Sequence, residues 1–349
     1  MSKRSRFVLL AFSILAPSLA TPQVPQKQTT KAVGDKPSKR SFSPNSMRGP
    51  IQGWVFDHIH GGLRPVLGFP GASTLGGVLE VGISISQAWI SPQRNCVLAE
   101  IKDSKEIALL DLSRDPLEVS SVGVAKPGPD QVVFSPTGAS VVFHHRATHS
   151  IQLITGLPSA PSLVAEIDIS SLSESLSAMA VSDDAGAVLL GVFEGEAGAV
   201  YVANERQEVG PVSVIGQASA ISFLSNTRDA LITDRRNHEL LLIRDVTGMA
   251  ERLTLAAERD GILGPVAVQV SDDNKRIFIA NSDSSTVTVL QLDGGVIKQV
   301  PCGKAPSGLY RLGGPSVFRL TEFSEEPLLL LDGGAEEPRA LFVPGLPAR

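Results

Sequence analysis

Two short segments of the chain concentrate side chains that could bind an anion. The first, 144–149, reads HHRATH, and the second, 235–238, reads RRNH. Guanidinium and imidazole groups donate hydrogen bonds to carboxylate and phosphate oxygens, and arginine does so through a planar pair of donors. The candidate ligand-binding residues are therefore Arg146, His149, Arg235 and His238. The alternative is that they are solvated loop residues without a ligand.

The same histidines raise the question of a metal site. The spacing of His144, His145 and His149 matches no recognised set of ligands, and no cysteine or carboxylate lies between them. The sequence also contains no Gly-x-Ser-x-Gly, Walker-type or HExxH motif. We therefore predict no metal, no cofactor and no catalytic residues.

A repeated pattern of short strands must position these residues, and 266–300 shows it most clearly. Four apolar or β-branched segments, VAVQV, IFIA, TVTVL and VIKQV, are separated by SDDNK, NSDSS and DGG. Alternating and β-branched residues predict strands, whereas Asp, Asn, Ser and Gly predict tight turns. Such a small sheet is apolar on both faces and needs neighbours of the same kind.

The unit recurs every 42 to 47 residues along the chain. The residues that follow each first strand are Ser91, Ser135, Ser182, Ser225, Ser271 and Gly313. Four strands at a period of 40 to 50 residues are typical of β-propeller blades. An incomplete unit, 53–68, is interpreted as the third and fourth strands of one more blade. The predicted fold is an all-β propeller of four-stranded antiparallel blades with seven blade positions, one incomplete, and six is the alternative.

The repeat also predicts where loops and cysteines lie. Loops between second and third strands share one face of a propeller, and this places 144–149 and 235–238 together, with His58 and His60 on the opposite face. The incomplete unit is expected to pair with the C-terminal strands and so close the ring. Cys96 and Cys302 fall four units apart, so two buried free thiols are expected rather than a disulfide.

The fifth of these six units, anchored at Ser271, resembles a known family. Ile277-Phe278-Ile279-Ala280-Asn281 after SDDNK, with Gly303, Pro306 and Gly308 before the next unit, is similar to the YVTN-type repeats of secreted bacterial β-propellers. The resemblance implies a propeller, export and a binding role. It carries no catalytic residue to this chain, because the matching residues are structural.

The N-terminal residues predict export. Lys3, Arg4 and Arg6 precede the short apolar run 7–15, and Ser18-Leu19-Ala20 is a small-x-small cleavage site. We expect a signal peptide at 1–20 cleaved near Ala20, a disordered basic linker at 21–50 and a propeller domain at 51–349. The mature protein is expected in the periplasm or outside the cell, without a membrane span.

The charge of the predicted domain excludes one class of partner. Residues 51–349 hold 22 of the 31 basic and 35 of the 36 acidic residues, a net charge of −13 with histidine neutral. Because phosphate contacts dominate nucleic-acid affinity, we expect no nucleic-acid partner.

The function predicted from the sequence is that of an exported binding or scaffolding propeller, expected to be monomeric. Its ligand is an unknown small molecule or protein, recognised through an anionic group on the face that carries Arg146 and Arg235. The alternatives are a lactonase-like or quinoprotein-like enzyme on the same fold, and a structural part of an envelope assembly.

Overall fold

Seven small antiparallel sheets follow one another along the chain. The computed structural model describes residues 49–114, 117–172, 176–314 and 316–345. The predicted signal peptide and nearly all of the predicted linker lie outside these residues. We number the sheets as blades 1 to 7 in chain order. Each strand pairs with the next one in its own sheet, and this confirms the predicted β-propeller with seven blade positions.

Blade 1 has three strands and blades 2 to 7 have four each. The strands of blades 1 to 4 are β1 Ile51–Asp57, β2 Gly62–Phe69, β3 Ala72–Leu75, β4 Ile85–Ile90, β5 Cys96–Ile101, β6 Ile107–Asp111, β7 Glu118–Ser121, β8 Gln131–Phe134, β9 Ser140–His145, β10 Ser150–Thr155, β11 Ser162–Asp168, β12 Leu176–Val181, β13 Val188–Glu194, β14 Ala197–Ala203 and β15 Val209–Ile215. Those of blades 5 to 7 are β16 Ala218–Phe223, β17 Ala230–Asp234, β18 Glu239–Arg244, β19 Glu251–Ala256, β20 Pro265–Val270, β21 Arg276–Asn281, β22 Thr286–Gln291, β23 Val296–Pro301, β24 Tyr310–Arg311, β25 Val317–Arg319, β26 Leu328–Asp332 and β27 Arg339–Val343.

The core lies between neighbouring blades. The second and third strands of each blade are buried nearly throughout, whereas the fourth strands are largely exposed. Side chains of adjacent sheets interdigitate: Leu189 of blade 4, for example, packs in one cluster with Phe223 and Ile232 of blade 5. Neighbouring blades cover both faces of a sheet, so both faces are apolar. The unbroken apolar second strands predicted this arrangement.

Within the described residues, blade 1 has no innermost strand, and its three strands correct the prediction from sequence. The carboxylate of Asp57, at the end of β1, accepts hydrogen bonds from the backbone of Ile59 and His60. Asp234, at the end of the second strand of blade 5, holds Arg236 and Asn237 in the same way. The strand β1 is therefore a second strand, and the unit holds strands two to four rather than three and four.

Ring closure also differs from the prediction. Among the strands that the structure describes, none of blade 1 pairs with one of blade 7. Instead Val55 and Val66 of blade 1 pack in one cluster with Leu312, Leu330 and other residues of blade 7. The strands of blade 1 satisfy their hydrogen bonds within their own sheet, so closure depends on apolar packing.

The two cysteines are free and buried, as predicted. They belong to different clusters, Cys96 with blades 2 and 3 and Cys302 with blades 6 and 7. Burial raises the pKa of each thiol to about 11. Within the described ranges, no helix has the length and apolar character needed to cross a membrane.

Candidate ligand-binding cavity

The loops between second and third strands form what we term the upper face, together with the loops that lead from one blade to the next. Gly61 of the β1–β2 loop lies against the backbone of Ile85, where β4 begins. The β1–β2 loop therefore also lies on the upper face. His58 and His60 were predicted on the opposite face, and that prediction is wrong because β1 is a second strand.

Two of the four candidate ligand-binding residues have structural partners. His238 adopts a left-handed backbone with φ of 53°, and its Nδ1 accepts a hydrogen bond at 3.0 Å from the backbone of Gly264. Arg235 pairs with Asp283 of the next blade, with 3.2 Å between Nη2 and Oδ1. These contacts join blades 5 and 6 at the upper face.

The other two candidates lie in the β9–β10 loop of blade 3. The side chain of Arg146 is exposed, and its backbone nitrogen donates to Asp130 at 2.7 Å. His149 is partly exposed and ends the turn with a left-handed backbone. Blade 4 separates this loop from Arg235 and His238. The structure therefore places all four residues on the upper face but in two separate groups.

His144 and His145 were predicted in this loop, and here the sequence reasoning was wrong. They are the last residues of β9, only 4% and 6% exposed. Their Nδ1 and Nε2 atoms, respectively, lack a hydrogen-bond partner among the described residues. Burial lowers the pKa of both imidazoles. Such buried, neutral side chains cannot supply charge to a ligand at the surface.

A cavity lies beside the incomplete blade. Its volume is about 610 Å³, within the range of small-molecule sites. The described residues give blade 1 no innermost strand, and residues of β1 line the cavity together with residues of β4 and β24. The residues that line the cavity are Trp54, Phe56, His58, Ser86, Gln87, Ala88, Trp89, Ile90, Pro92, Val132, Val133, Phe134, Gln269, Leu309, Tyr310, Arg311, Leu312, Arg319 and Glu322.

Five aromatic side chains belong to the wall of the cavity. Trp54 and Trp89 are the only two tryptophans of the chain, and both line this cavity. Phe56, Phe134 and Tyr310 join them from three different blades. Aromatic residues make up just 5% of the chain, so their convergence here is a strong local enrichment. Flat aromatic faces are suited to the rings and apolar surfaces of small molecules.

A polar group stands at one side of the cavity, built from β24, β25 and the loop that follows. The guanidinium of Arg319 lies 4.2 Å from the centre of the Tyr310 ring and 3.2 Å from Glu322 Oε2. The Tyr310 hydroxyl donates to the other oxygen of Glu322. Burial, and next the Glu322 hydrogen bond, raises the pKa of Tyr310 to about 12, so its hydroxyl stays protonated.

Arg311 also lines the cavity. Its guanidinium pairs with Asp272 of blade 6, with 2.7 Å between Nη1 and Oδ1, and it donates to the Val270 carbonyl. Both arginines of the cavity therefore have carboxylate partners. The site combines an apolar aromatic wall with balanced polar groups, a chemistry suited to a neutral amphipathic ligand.

Sequence reasoning missed this cavity because its residues come from blades 1, 2, 3, 6 and 7. One signal was available: an incomplete blade in a closed ring leaves an open position beside the channel. Within the described part of the chain, no three side chains of His, Cys, Asp or Glu come together as a metal site.

Comparisons with known proteins support the fold. No protein-family model matches the chain, and no curated protein matches it. A functionally unknown protein from Desulfotomaculum acetoxidans is 11% identical with a TM-score of 0.57, covering 84% of this chain and 99% of its own. A proposed 6-phosphogluconolactonase of Bacteroides fragilis is 13% identical with a TM-score of 0.56, covering 84% and 94%.

A further match is the virginiamycin B lyase of Staphylococcus aureus, solved with quinupristin. It is 13% identical with a TM-score of 0.51, covering 74% of this chain and 83% of its own. At these identities the likeness shows the fold alone. The chain is a seven-bladed β-propeller.

Proposed function

We propose that this chain is an exported binding protein that holds a small, neutral, amphipathic molecule in the cavity beside blade 1. The observation that carries the proposal is the convergence of both tryptophans on a cavity of about 610 Å³. The signal-peptide pattern at 1–20 and the resemblance to YVTN-type repeats support export and a binding role.

Charge balance supports a neutral ligand. Arg311 is paired with Asp272 and Arg319 with Glu322, so neither presents an uncompensated charge to the cavity. Gln87 and Gln269 add amide groups that can both donate and accept hydrogen bonds. A ligand with a flat apolar body and a few uncharged polar groups uses all of these features.

The enzyme alternative rests on the fold shared with the lyase and the proposed lactonase. Binding requires only the apolar wall and hydrogen-bonding groups that the cavity displays. Catalysis also requires a reactive group, and His58, Tyr310 and Glu322 are titratable side chains in the cavity of the types that serve as general acids or bases.

The test uses N-phenyl-1-naphthylamine, a neutral amphipathic fluorophore. Because both tryptophans line the cavity, energy transfer from tryptophan to the probe reports binding at this site. We expect saturable one-to-one binding to the full chain. Trp89→Ala should weaken binding about tenfold, since an aromatic face of this size is worth 1.5–3 kcal/mol when buried. Thermal unfolding of the variant separates this effect from loss of the fold.

The double variant Arg146→Ala, Arg235→Ala is the matched control, and it also tests the anion hypothesis from sequence. Binding of the neutral probe should be unchanged. If the upper-face arginines recognise an anionic group, the double variant should weaken binding of the anionic analogue 8-anilinonaphthalene-1-sulfonate at low salt. Loss of neutral-probe binding in the double variant, but not in Trp89→Ala, would overturn the cavity proposal.

The third part of the binding experiment uses a chain that lacks residues 1–44. Phe42-Ser43-Pro44 repeats the Phe134-Ser135-Pro136 sequence that ends an innermost strand, and Ser43 precedes Ser91 by 48 positions. The deletion therefore tests whether this segment competes with the probe. Equal binding by both chains supports the proposal, whereas binding by the shorter chain alone would overturn it for the intact protein.

A further inference from the structure

The other end of the channel has a second, smaller concavity of about 350 Å³. We term it the lower mouth, because it is formed mainly by the loops between first and second strands. Its lining residues are Pro92, Gln93, Arg94, Pro136, Thr137, Ser225, Asn226, Asp272, Arg311 and Gly314. Its lining residues come from blades 2, 3, 5, 6 and 7, so the concavity forms when these blades assemble into the ring.

Arg94 is unusual for its position. It adopts a left-handed backbone with φ of 61° in the turn after Ser91. The matching third residues after the turn serines of blades 3 and 6 are Gly138 and Asn274, types that tolerate this conformation. Arg94 therefore places a long, charged side chain on a strained left-handed backbone, where the matching residues of blades 3 and 6 are small.

The guanidinium of Arg94 has no carboxylate partner among the described residues. Arg311, by contrast, is paired with Asp272, and its side chain is only 14% exposed. Burial lowers the pKa of Arg311, and the Arg94 charge acts in the same direction. Both arginines line the same concavity, and Asp272 pairs with Arg311.

We propose that the lower mouth binds a small oxyanion, a phosphate or carboxylate group, between Arg94 and Arg311. The lining holds these two guanidiniums and the Asp272 carboxylate, and the Asp183 carboxylate accepts hydrogen bonds from the lining residues Thr137 and Asn226. Two planar guanidiniums match the paired oxygens of these groups. The exposed Gln93 and Asn226 amides lie in the same lining and supply neutral donors.

The site is separate from the cavity in the proposed function, although Arg311 lines both. Binding of a neutral ligand in the cavity does not require an anion in the lower mouth. Binding of an anion in the lower mouth likewise does not require a ligand in the cavity. Different readouts keep the two apart: tryptophan energy transfer reports the cavity, and calorimetric titration of an inorganic anion reports the lower mouth.

Titration of the full chain with inorganic phosphate, and separately with acetate, at low salt tests the proposal. We expect one anion to bind with a stoichiometry of one and to weaken as salt rises. Tighter binding of phosphate or of acetate identifies which group the site prefers. Failure of both anions to bind at low salt would overturn the proposal.

The diagnostic substitution is Arg94→Asn, because asparagine tolerates the left-handed backbone and removes the charge. It should weaken anion binding about tenfold, in line with the loss of one charged hydrogen-bonding partner. Arg206→Asn is the matched control, since Arg206 is an exposed arginine in a loop between third and fourth strands. Unchanged anion binding in Arg94→Asn, or equal weakening in both variants, would contradict the site.

Discussion

At the scale of single residues, Asp57 shows how much one carboxylate can organise. It is fully buried and accepts from the backbone of Ile59 and from both the backbone and ring of His60. The same carboxylate lies 2.6 Å from Arg64 Nε. Burial alone would raise the pKa of Asp57, but the hydrogen bonds from Arg64 and His60 outweigh it and lower that pKa.

A lowered pKa makes Asp57 stabilising when ionised. That stability is present above the carboxyl's unfolded-state pKa and is lost as pH falls through the folded value. We expect Asp57→Asn to lower the free energy of unfolding at pH 7 by about 3 kcal/mol, because it leaves buried Arg64 without a counter-charge. The variant should also lose less stability than the wild type between about pH 5 and pH 2.

Urea denaturation at a series of pH values measures both effects. Glu205→Gln is the control, since Glu205 is an exposed carboxylate in a loop. If the free energy of unfolding changes with pH in the same way for Asp57→Asn and the wild type, the pKa of Asp57 is not lowered in the folded protein.

At the scale of elements, the loops between first and second strands are linked around the lower face. Asp183 of blade 4 accepts from the Thr137 backbone at 2.8 Å and hydroxyl at 2.6 Å, and from the Asn226 backbone at 2.8 Å. Asn274 of blade 6 exchanges two hydrogen bonds with Ser225. One loop therefore fixes the position of the next, and blades 3 to 6 are joined without a shared strand.

Asp183→Ala removes three charge-assisted hydrogen bonds that connect three blades. We expect the free energy of unfolding to fall by about 2–3 kcal/mol, measured by urea denaturation. Asp103→Ala, in an exposed loop of blade 2, should change it by less than about 0.5 kcal/mol. Equal effects of the two substitutions would show that the loop contacts do not connect the blades energetically.

Most of the architecture could be predicted from the sequence because blade strands are local. The run 277–281 pairs with 286–291 a few residues later, so periodicity and turn residues specify each sheet. The cavity could not be predicted, because Trp54, Trp89 and Gln269 meet only after the ring has closed. His144 and His145 were placed in a loop because polar residues resemble loop residues, yet β9 runs on to His145.

At the scale of the whole molecule, blade 1 is held by packing on both sides. Trp54 and Leu63 pack against Val97 and Leu110 of blade 2, and Val55 packs against blade 7. The seam between blades 7 and 1 is especially close. A Cβ on Gly53 would lie 2.8 Å from the Leu312 carbonyl oxygen, and one on Gly313 would overlap the Gln52 carbonyl.

Gly53→Ala and Gly313→Ala should each open this seam, because backbone cannot yield as a flexible side chain can. We expect the free energy of unfolding to fall by about 1–3 kcal/mol in each variant, as for overpacked sites. Gly210→Ala is the control, since a Cβ on this strand residue meets nothing within 4 Å. Thermal and urea unfolding measure the effect. Stability equal to that of the control would mean that the seam is loosely packed.

The position of the three-stranded blade also determines where the ring opens locally. Every other pair of neighbouring blades is consecutive in the chain, whereas blades 7 and 1, within the described residues, meet through apolar side chains and the close backbone approach at Gly53 and Gly313. No chain connection within the described residues links blade 7 to blade 1, so we expect blade 1 to separate from its neighbour at a lower free energy than the other blades, and the cavity that it lines to widen with it.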